Sequence, residues 1–254
     1  MTTRIITVTN NKGGVGKTTT VVNLAAGLGL EGRRVLVVDA DPQANTTFAL
    51  LGPTAPALTL YDSLVTNSVP LSRTITPIKT RGVDLVPSHI NLSAADITLA
   101  GVPGREWLLS RRLKTVSGYD YVLIDTPPSL GVLTVNSLTT APEVIIPVST
   151  GTFALMGIGL LEDTIAQLKE NLDLPQLRIT GAVATLHDRT IVARDTVRAL
   201  TEHFGDRLFK TIIPKNKDIE EAHSRSMSIF DYAPESQGGQ AYWALTKEVT
   251  ALER

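Results

Sequence analysis

Asn10-Asn11-Lys12-Gly13-Gly14-Val15-Gly16-Lys17-Thr18-Thr19-Thr20 stands between a β-branched run, Ile5-Ile6-Thr7-Val8-Thr9, and a helix-forming run, Val21-Val22-Asn23-Leu24-Ala25-Ala26-Gly27-Leu28. Strand, glycine loop and helix, in that order, are the context of a phosphate-binding loop. Gly13, Gly14 and Gly16 let the backbone curl so that successive N–H groups point at one anion. The helix then begins with its positive dipole end at the same place. Lys17 is placed to reach the outer phosphates, and the Thr18 hydroxyl to ligate Mg²⁺. The strict pattern asks for glycine at position 11, where Asn11 stands. Asparagine is the non-glycine residue that best tolerates a left-handed backbone, so the loop can still close with Asn11 there.

Lys12 is not required by a generic phosphate loop. A side chain there folds back poorly on phosphates wrapped by its own loop. Its expected use is to cross to a nucleotide held by a facing subunit. The alternative is a glycine-rich turn with a surface lysine.

Downstream, apolar runs alternate with helix-forming stretches. Arg34-Val35-Leu36-Val37-Val38-Asp39 and Tyr119-Asp120-Tyr121-Val122-Leu123-Ile124-Asp125 end in acid. Val83 to Pro87, Val144 to Val148, Leu177 to Ala184 and Leu208 to Ile213 read as further strands. Continuous β-branched runs fit parallel strands buried on both faces. Helices are expected over Asn45–Leu51, Leu58–Val65, Leu92–Leu99, Arg105–Val116, Phe153–Leu172 and Thr190–Phe204. The pattern predicts an α/β fold, a doubly wound, mostly parallel sheet flanked by helices. No linker or low-complexity tract divides the 254 residues, so residues 1–254 are expected to form a single domain.

Ligands in such sheets sit beyond the carboxyl ends of the strands, where Asp39, Asp41 and Asp125 fall. An apolar strand ending in Asp125 beside a phosphate loop points to a carboxylate that holds Mg²⁺ through water; the alternative is a turn-capping aspartate. Asp39 and Asp41 lie two apart and are expected to face the same way in an extended segment. Asp41 before Pro42 also reads as a turn initiator.

The 24 basic and 25 acidic residues nearly cancel, which excludes a wholly basic nucleic-acid coat but not a local patch. With no cysteine there are no disulfides, thiolate zinc sites or iron–sulfur clusters, which suits a reducing cytoplasm. The start, Met1-Thr2-Thr3-Arg4, has no apolar signal region, and no run is long enough to span a membrane. Four scattered histidines lack metal-ligand spacing.

Lys12-Gly13-Gly14-Val15-Gly16-Lys17-Thr18-Thr19 resembles the deviant Walker A loop of the ParA/MinD ATPases, P-loop NTPases. The resemblance continues through Asp39-Ala40-Asp41-Pro42-Gln43, Thr126-Pro127-Pro128-Ser129, Asn136-Ser137-Leu138 and Ile213-Pro214-Lys215-Asn216, nearly the whole chain. It implies that Lys12 is the signature lysine crossing a nucleotide-sandwich homodimer. Asp41 is then the residue orienting the attacking water and, like Asp125, contacts Mg²⁺ through water. Asp39 matches a position near the metal and its waters. Pro214 and Asn216 match a stretch that closes over the adenine; the alternative is an ordinary strand-ending turn. ATP and Mg²⁺ are the implied cofactors, and slow hydrolysis stimulated by a ParB-like activator the implied reaction. The implied role is plasmid or chromosome partitioning on nonspecifically bound DNA, cytoplasmic and nucleoid-associated.

Arg189, Arg194, Arg198, Lys215 and Lys217 are the DNA-binding candidates; the alternative is solvated helix charge. Asp218 departs from the family, putting a negative charge where an arginine associated with DNA binding is usual. The chain starts close to its first strand, so no N-terminal helix-turn-helix domain is expected. Rivals within the fold are a positioning ATPase for another cargo and a MinD-like membrane ATPase. Asp-Pro-Gln argues against the latter. So does the segment Gln240 to Arg254, expected to pack on the sheet through Tyr242, Leu245, Val249 and Leu252, with Glu248 and Glu253 offsetting Lys247 and Arg254.

Overall fold

The computed structural model describes residues 3–66, 68–151 and 154–252. Its strands are β1 (Arg4–Val8), β2 (Val35–Asp39), β3 (Thr76–Pro77), β4 (Val83–Val86), β5 (Tyr121–Asp125), β6 (Glu143–Ser149), β7 (Arg178–His187) and β8 (Leu208–Pro214). They form one sheet in the order β3-β4-β2-β5-β1-β6-β7-β8. All described pairings are parallel except that of the two-residue edge strand β3 with β4. That edge strand, with Pro77 in it, is too short to read from sequence.

The helices are α1 (Lys17–Leu30), α2 (Asn45–Leu51), α3 (Leu60–Val65), α4 (Ala95–Thr98), α5 (Leu108–Leu113), α6 (Val132–Thr140), α7 (Ile158–Asn171), α8 (Ile191–Phe204), α9 (Lys217–Ser224), α10 (Ile229–Tyr232) and α11 (Gln237–Ala251). Both faces of the sheet are covered, which is why its strands read as unbroken apolar runs. Along β2 the period of two is visible: Val35 and Val37 pack with Val21, Leu24, Leu28, Tyr242 and Leu245 from α1 and α11. Leu36 and Val38 pack on the opposite face with Leu60, Leu109 and Leu133. A further cluster joins Val144, Ile146 and Val148 of β6 to Ile158, Leu161 and Ile165 of α7 and Leu200 and Phe204 of α8.

Several expected helices are shorter than their sequence pattern. Residues 92–99 split into a 3₁₀ turn (Ile90–Ala94) and α4, and residues 105–116 into a 3₁₀ turn (Arg105–Trp107) and α5. The helix expected over Phe153–Leu172 begins at Ile158, because Gly157 at its N-cap is left-handed (φ 90°); Phe153 lies outside the described residues. The last third holds helices not anticipated, α9 and α10, each short and nucleated by a side-chain cap, Asn216 and Ser228.

Helix α11 lies against α1 at close range: a Cβ on Gly27 would stand 2.2 Å from Thr246 Oγ1, so glycine there sets the approach. Tyr242, Leu245 and Val249 are buried as expected, but Leu252, at the C-cap, is exposed. Lys247 pairs with Glu31, and Glu248 accepts the Lys210 and Thr211 amides. Arg4 makes a two-pronged bond to Glu143 (3.0 and 2.8 Å) and donates to Val249 O at 2.8 Å, tying the end of α11 to the sheet. Glu253 and Arg254, and Met1 and Thr2, lie outside the described residues. Among the described residues no helix is long and apolar enough to cross a membrane.

Candidate active site

The glycine loop connects the carboxyl end of β1 to α1, in mid-sheet. Asn10 shapes its start: Nδ2 donates to Pro147 O at 2.8 Å, and Oδ1 accepts from Lys12 N at 3.0 Å. Thr185 Oγ1 holds the far side through Val15 O at 2.8 Å. The left-handed residues are Gly14 (φ 70°) and Gly16 (φ 85°). Asn11 is not among them, so the loop closes without a left-handed residue at position 11: two glycines already supply the reversal. Asn11 instead packs its amide against Gly157, ahead of α7, where a Cβ would stand 2.6 Å from Oδ1.

Gly16 is the N-cap of α1, with no side-chain cap and no acid in the first turn. The first amides of a fourteen-residue helix, Lys17, Thr18 and Thr19 among them, are thus left to an external anion. Lys17 is 7% exposed and its Nζ donates to Lys12 O at 3.1 Å. Burial lowers its pKa, opposed by the negative charges of Asp125 and Asp41. Gly13 and Gly14 are exposed, Val15 is buried, and Lys12 is half-exposed.

Parallel pairing of β2 and β5 sets Asp39 directly beside Asp125, and pairing of β1 with β5 sets Val8 on its other side. Both carboxylates are fully buried. Burial raises the pKa of each, and the neighbouring negative charge of Asp125 adds to it at Asp39. Asp125 Oδ2 accepts from Thr18 Oγ1 at 2.8 Å and from Thr46 Oγ1 at 2.6 Å. Asp125 Oδ1 is buried with no hydrogen-bond partner. The site therefore fits a hard cation with nucleotide phosphate: an unpartnered carboxylate oxygen, a hydroxyl with spare lone pairs, and an uncapped helix start beside an ammonium group.

Asp39 braces the turn that follows it and the start of α2. Its Oδ2 accepts the Thr47 amide and hydroxyl, both at 2.7 Å, and its Oδ1 accepts the Asp41 amide at 3.1 Å. Three protein donors thus fix this carboxylate against the Asp41 turn and the first turn of α2. Strand β2 ends at Asp39, and the turn falls at Pro42 and Gln43, with Asp41 Oδ1 accepting the Gln43 amide at 2.9 Å. Asp41 is 6% exposed and close enough to Lys17 and Asp125 to act on both electrostatically. Thr46 and Thr47 were not singled out from sequence; adjacent hydroxyls in the first turn after an acidic turn were the available signal.

Asp125→Asn is expected to move apo stability and ligand binding in opposite directions. Its raised native pKa means that protonation favours the fold. That stability is fully present below the ordinary carboxylate value near ~4 and is lost as pH rises through the raised native value. At pH 8 the amide variant should be more stable than wild type by roughly 1–3 kcal/mol, with the gap closing toward pH 5. Thermal melts at the two pH values measure this. Mg²⁺-dependent nucleotide binding should fall in the same variant, and an apo stability below wild type at pH 8 would contradict the charge argument.

Pro214 ends β8 opposite His187. Asn216 Oδ1 caps α9 by accepting the amides of Asp218 (2.8 Å) and Ile219 (3.3 Å). Arg189, Arg194, Arg198, Lys215 and Lys217 are all exposed. Lys215 N donates to His187 O at 2.8 Å, which brings it beside the turn that carries Arg189. Asp218 lies in the first turn of α9, where its charge favours the helix dipole.

A family model described as an AAA domain matches residues 3–179. Sporulation initiation inhibitor protein Soj from Bacillus subtilis is 40% identical over 251 residues, covering 98% of this chain and 98% of that protein. Chromosome partitioning protein ParA from Caulobacter vibrioides is 38% identical over 256 residues, 99% of this chain and 95% of that protein. Among solved structures, a cobyrinic acid a,c-diamide synthase from Mycobacterium smegmatis with bound ADP and magnesium has a TM-score of 0.84 at 35% identity, covering 98% of this chain and 94% of that one.

Proposed function

The chain belongs to the family of ParA and Soj partitioning ATPases, and from that premise we propose that residues 1–254 act as one unit that binds ATP with Mg²⁺, dimerises around it and hydrolyses it. The observation that carries this reading is the convergence of the uncapped start of α1, the Lys17 ammonium and the unpartnered Asp125 Oδ1. The amides of Gly13 to Thr19 and the Lys17 ammonium hold the phosphates. Thr18 and Asp125 hold the cation, and Asp41 orients a water. A Mg²⁺ held there by Thr18 and Asp125 would offset the charge of the phosphates. Lys12 acts on the nucleotide of a second subunit. Pro214 and the Asn216 amide lie against the base, Asn216 keeping its cap on α9.

The proposed role is DNA partitioning, in the cytoplasm and on the nucleoid, with hydrolysis slow until a ParB-like partner stimulates it. A membrane role draws no support from α11, whose apolar face is buried on α1 and β8 and whose Lys247 is paired with Glu31. Another cargo is decided by the partner that stimulates hydrolysis.

DNA binding should need ATP, ignore sequence and fall steeply with salt, since phosphate-tracking cations release counterions. Lys215→Glu and Lys217→Glu should weaken binding uniformly across sequences. Asp218→Arg should tighten it, at about 0.3–1 kcal/mol cost to the start of α9. Fluorescence anisotropy with unrelated duplexes over a salt series tests this. Wild-type DNA affinity in both lysine variants would exclude this face.

A further inference from the structure

We propose that Thr46 is a positioning residue of the cation site: its hydroxyl fixes the Asp125 carboxylate for Mg²⁺ and ties that carboxylate to the helix that follows Asp41. The proposal rests on the ATPase reading above. Thr46 is fully buried, and its Oγ1 donates to the same Asp125 oxygen that accepts from Thr18, at 2.6 and 2.8 Å. A carboxylate oxygen with two donors cannot turn without breaking both bonds. The remaining oxygen, Oδ1, is thereby held in one orientation with no protein donor on it. Thr18 keeps lone pairs for a cation while it donates its proton. Thr46 is different: it supplies no group that the phosphate loop needs, so its bond to Asp125 serves orientation alone.

Thr46 also sits at the right place to transmit occupancy. Helix α2 starts directly after Asp41-Pro42-Gln43-Ala44, and Ala44 is held left-handed at φ 54°. That turn is braced from α2 by neighbouring side chains: Thr46 on Asp125 and Thr47 on Asp39. The two threonines differ in consequence. The Asp39 oxygens are both occupied by protein donors, so Thr47 holds a closed, structural contact. Asp125 retains an open oxygen, so a cation bound there reaches the Asp41 turn through the Thr46 side chain.

The test compares wild type with Thr46→Val, which keeps the shape and removes the donor, and Thr46→Ser, which keeps the donor. Mg²⁺ is titrated calorimetrically into protein carrying a non-hydrolysable ATP analogue, and nucleotide affinity is measured separately in EDTA. Thr46→Val should raise half-saturating Mg²⁺ by roughly 10–100-fold with nucleotide affinity in EDTA unchanged. Thr46→Ser should restore the wild-type value. At saturating Mg²⁺, kcat should fall while KM for ATP stays near wild type. Thr47→Val should lower thermal stability and leave the Mg²⁺ half-saturation in place. If the valine variant does not fold, Thr46→Ala against Thr46→Ser gives the same comparison. Wild-type Mg²⁺ half-saturation in the donor-less variant overturns the proposal, as does an equal loss of affinity in EDTA, which marks a structural role. Nucleotide binding by wild type that is no better with Mg²⁺ than with EDTA sinks the ATPase reading itself, and the Thr46 proposal with it.

Discussion

Lys17→Ala should abolish measurable nucleotide binding while leaving the fold intact. In the described structure the ammonium is almost fully buried, and the bond it makes is to the Lys12 carbonyl at 3.1 Å. Burial already lowers its pKa, so the charged form is held at a cost that Asp125 and Asp41 only partly offset. A phosphate group arriving at the start of α1 offers the same ammonium a charged acceptor in place of a neutral one. A charge-assisted bond in a partly desolvated site contributes about 1.5–3 kcal/mol, and the loss of long-range attraction adds to that. Removing it should weaken ATP binding at least ~100-fold, which is about 2.7 kcal/mol. The apo fold loses little, because the alanine variant removes a strained charge and leaves one loop carbonyl free. Lys17→Gln should behave the same way, since an amide supplies a donor without the charge. Isothermal titration with ATP and Mg²⁺, with a thermal melt of the apo variant as control, checks both halves. Wild-type affinity in a folded variant would remove the phosphate-loop assignment.

The order of strands and helices was legible because β1, β2, β5 and β6 are buried on both faces and end in recognisable turns. The loop was legible because its chemistry is local: two glycines at positive φ, a lysine five residues after another, and a helix that starts without a cap. What escaped depends on contacts between distant elements. Asp39 and Asp125 look alike in sequence, each ending an apolar strand, yet both Asp39 oxygens accept protein donors, from the Asp41 turn and from α2, while Asp125 keeps an open oxygen. That difference lies at the second oxygen: the Asp41 amide bonds Asp39 Oδ1, and no protein donor reaches Asp125 Oδ1. The tolerance of asparagine for a left-handed backbone is not drawn on at Asn11, because the neighbouring glycines take up the turn. Helices α9 and α10 escape a reading by periodicity because each is short, eight and four residues, and starts on a side-chain cap.

Lys12→Ala should keep ATP on a monomer and lose the dimer, hydrolysis and DNA binding together. The backbone of Lys12 is fixed at both ends: its N–H donates to Asn10 Oδ1, and its carbonyl accepts from Lys17. That arrangement spends its main chain on the loop and leaves its side chain half-exposed, followed by the exposed Gly13 and Gly14. Among the described residues its ammonium has no carboxylate partner. Bringing two nucleotide sites face to face buries like-charged phosphates where little water screens them. A lysine from each subunit, crossing to the other's phosphate, offsets that repulsion and also stabilises charge that builds up in the transition state. A cation delivered in this way contributes about 10³–10⁵ in rate when it comes from an arginine finger. Hydrolysis in Lys12→Ala should drop on that order. Lys12→Arg should fail as well, because a planar fork does not replace a compact ammonium in a confined site. ATP affinity of the monomer should stay near wild type, since Lys17 and the α1 amides are untouched. Size-exclusion chromatography with light scattering, with and without ATP, reads the dimer, and calorimetry reads ATP binding. An ATP-dependent dimer of normal affinity in Lys12→Ala would end the sandwich model and leave an ordinary phosphate loop with a spare surface lysine.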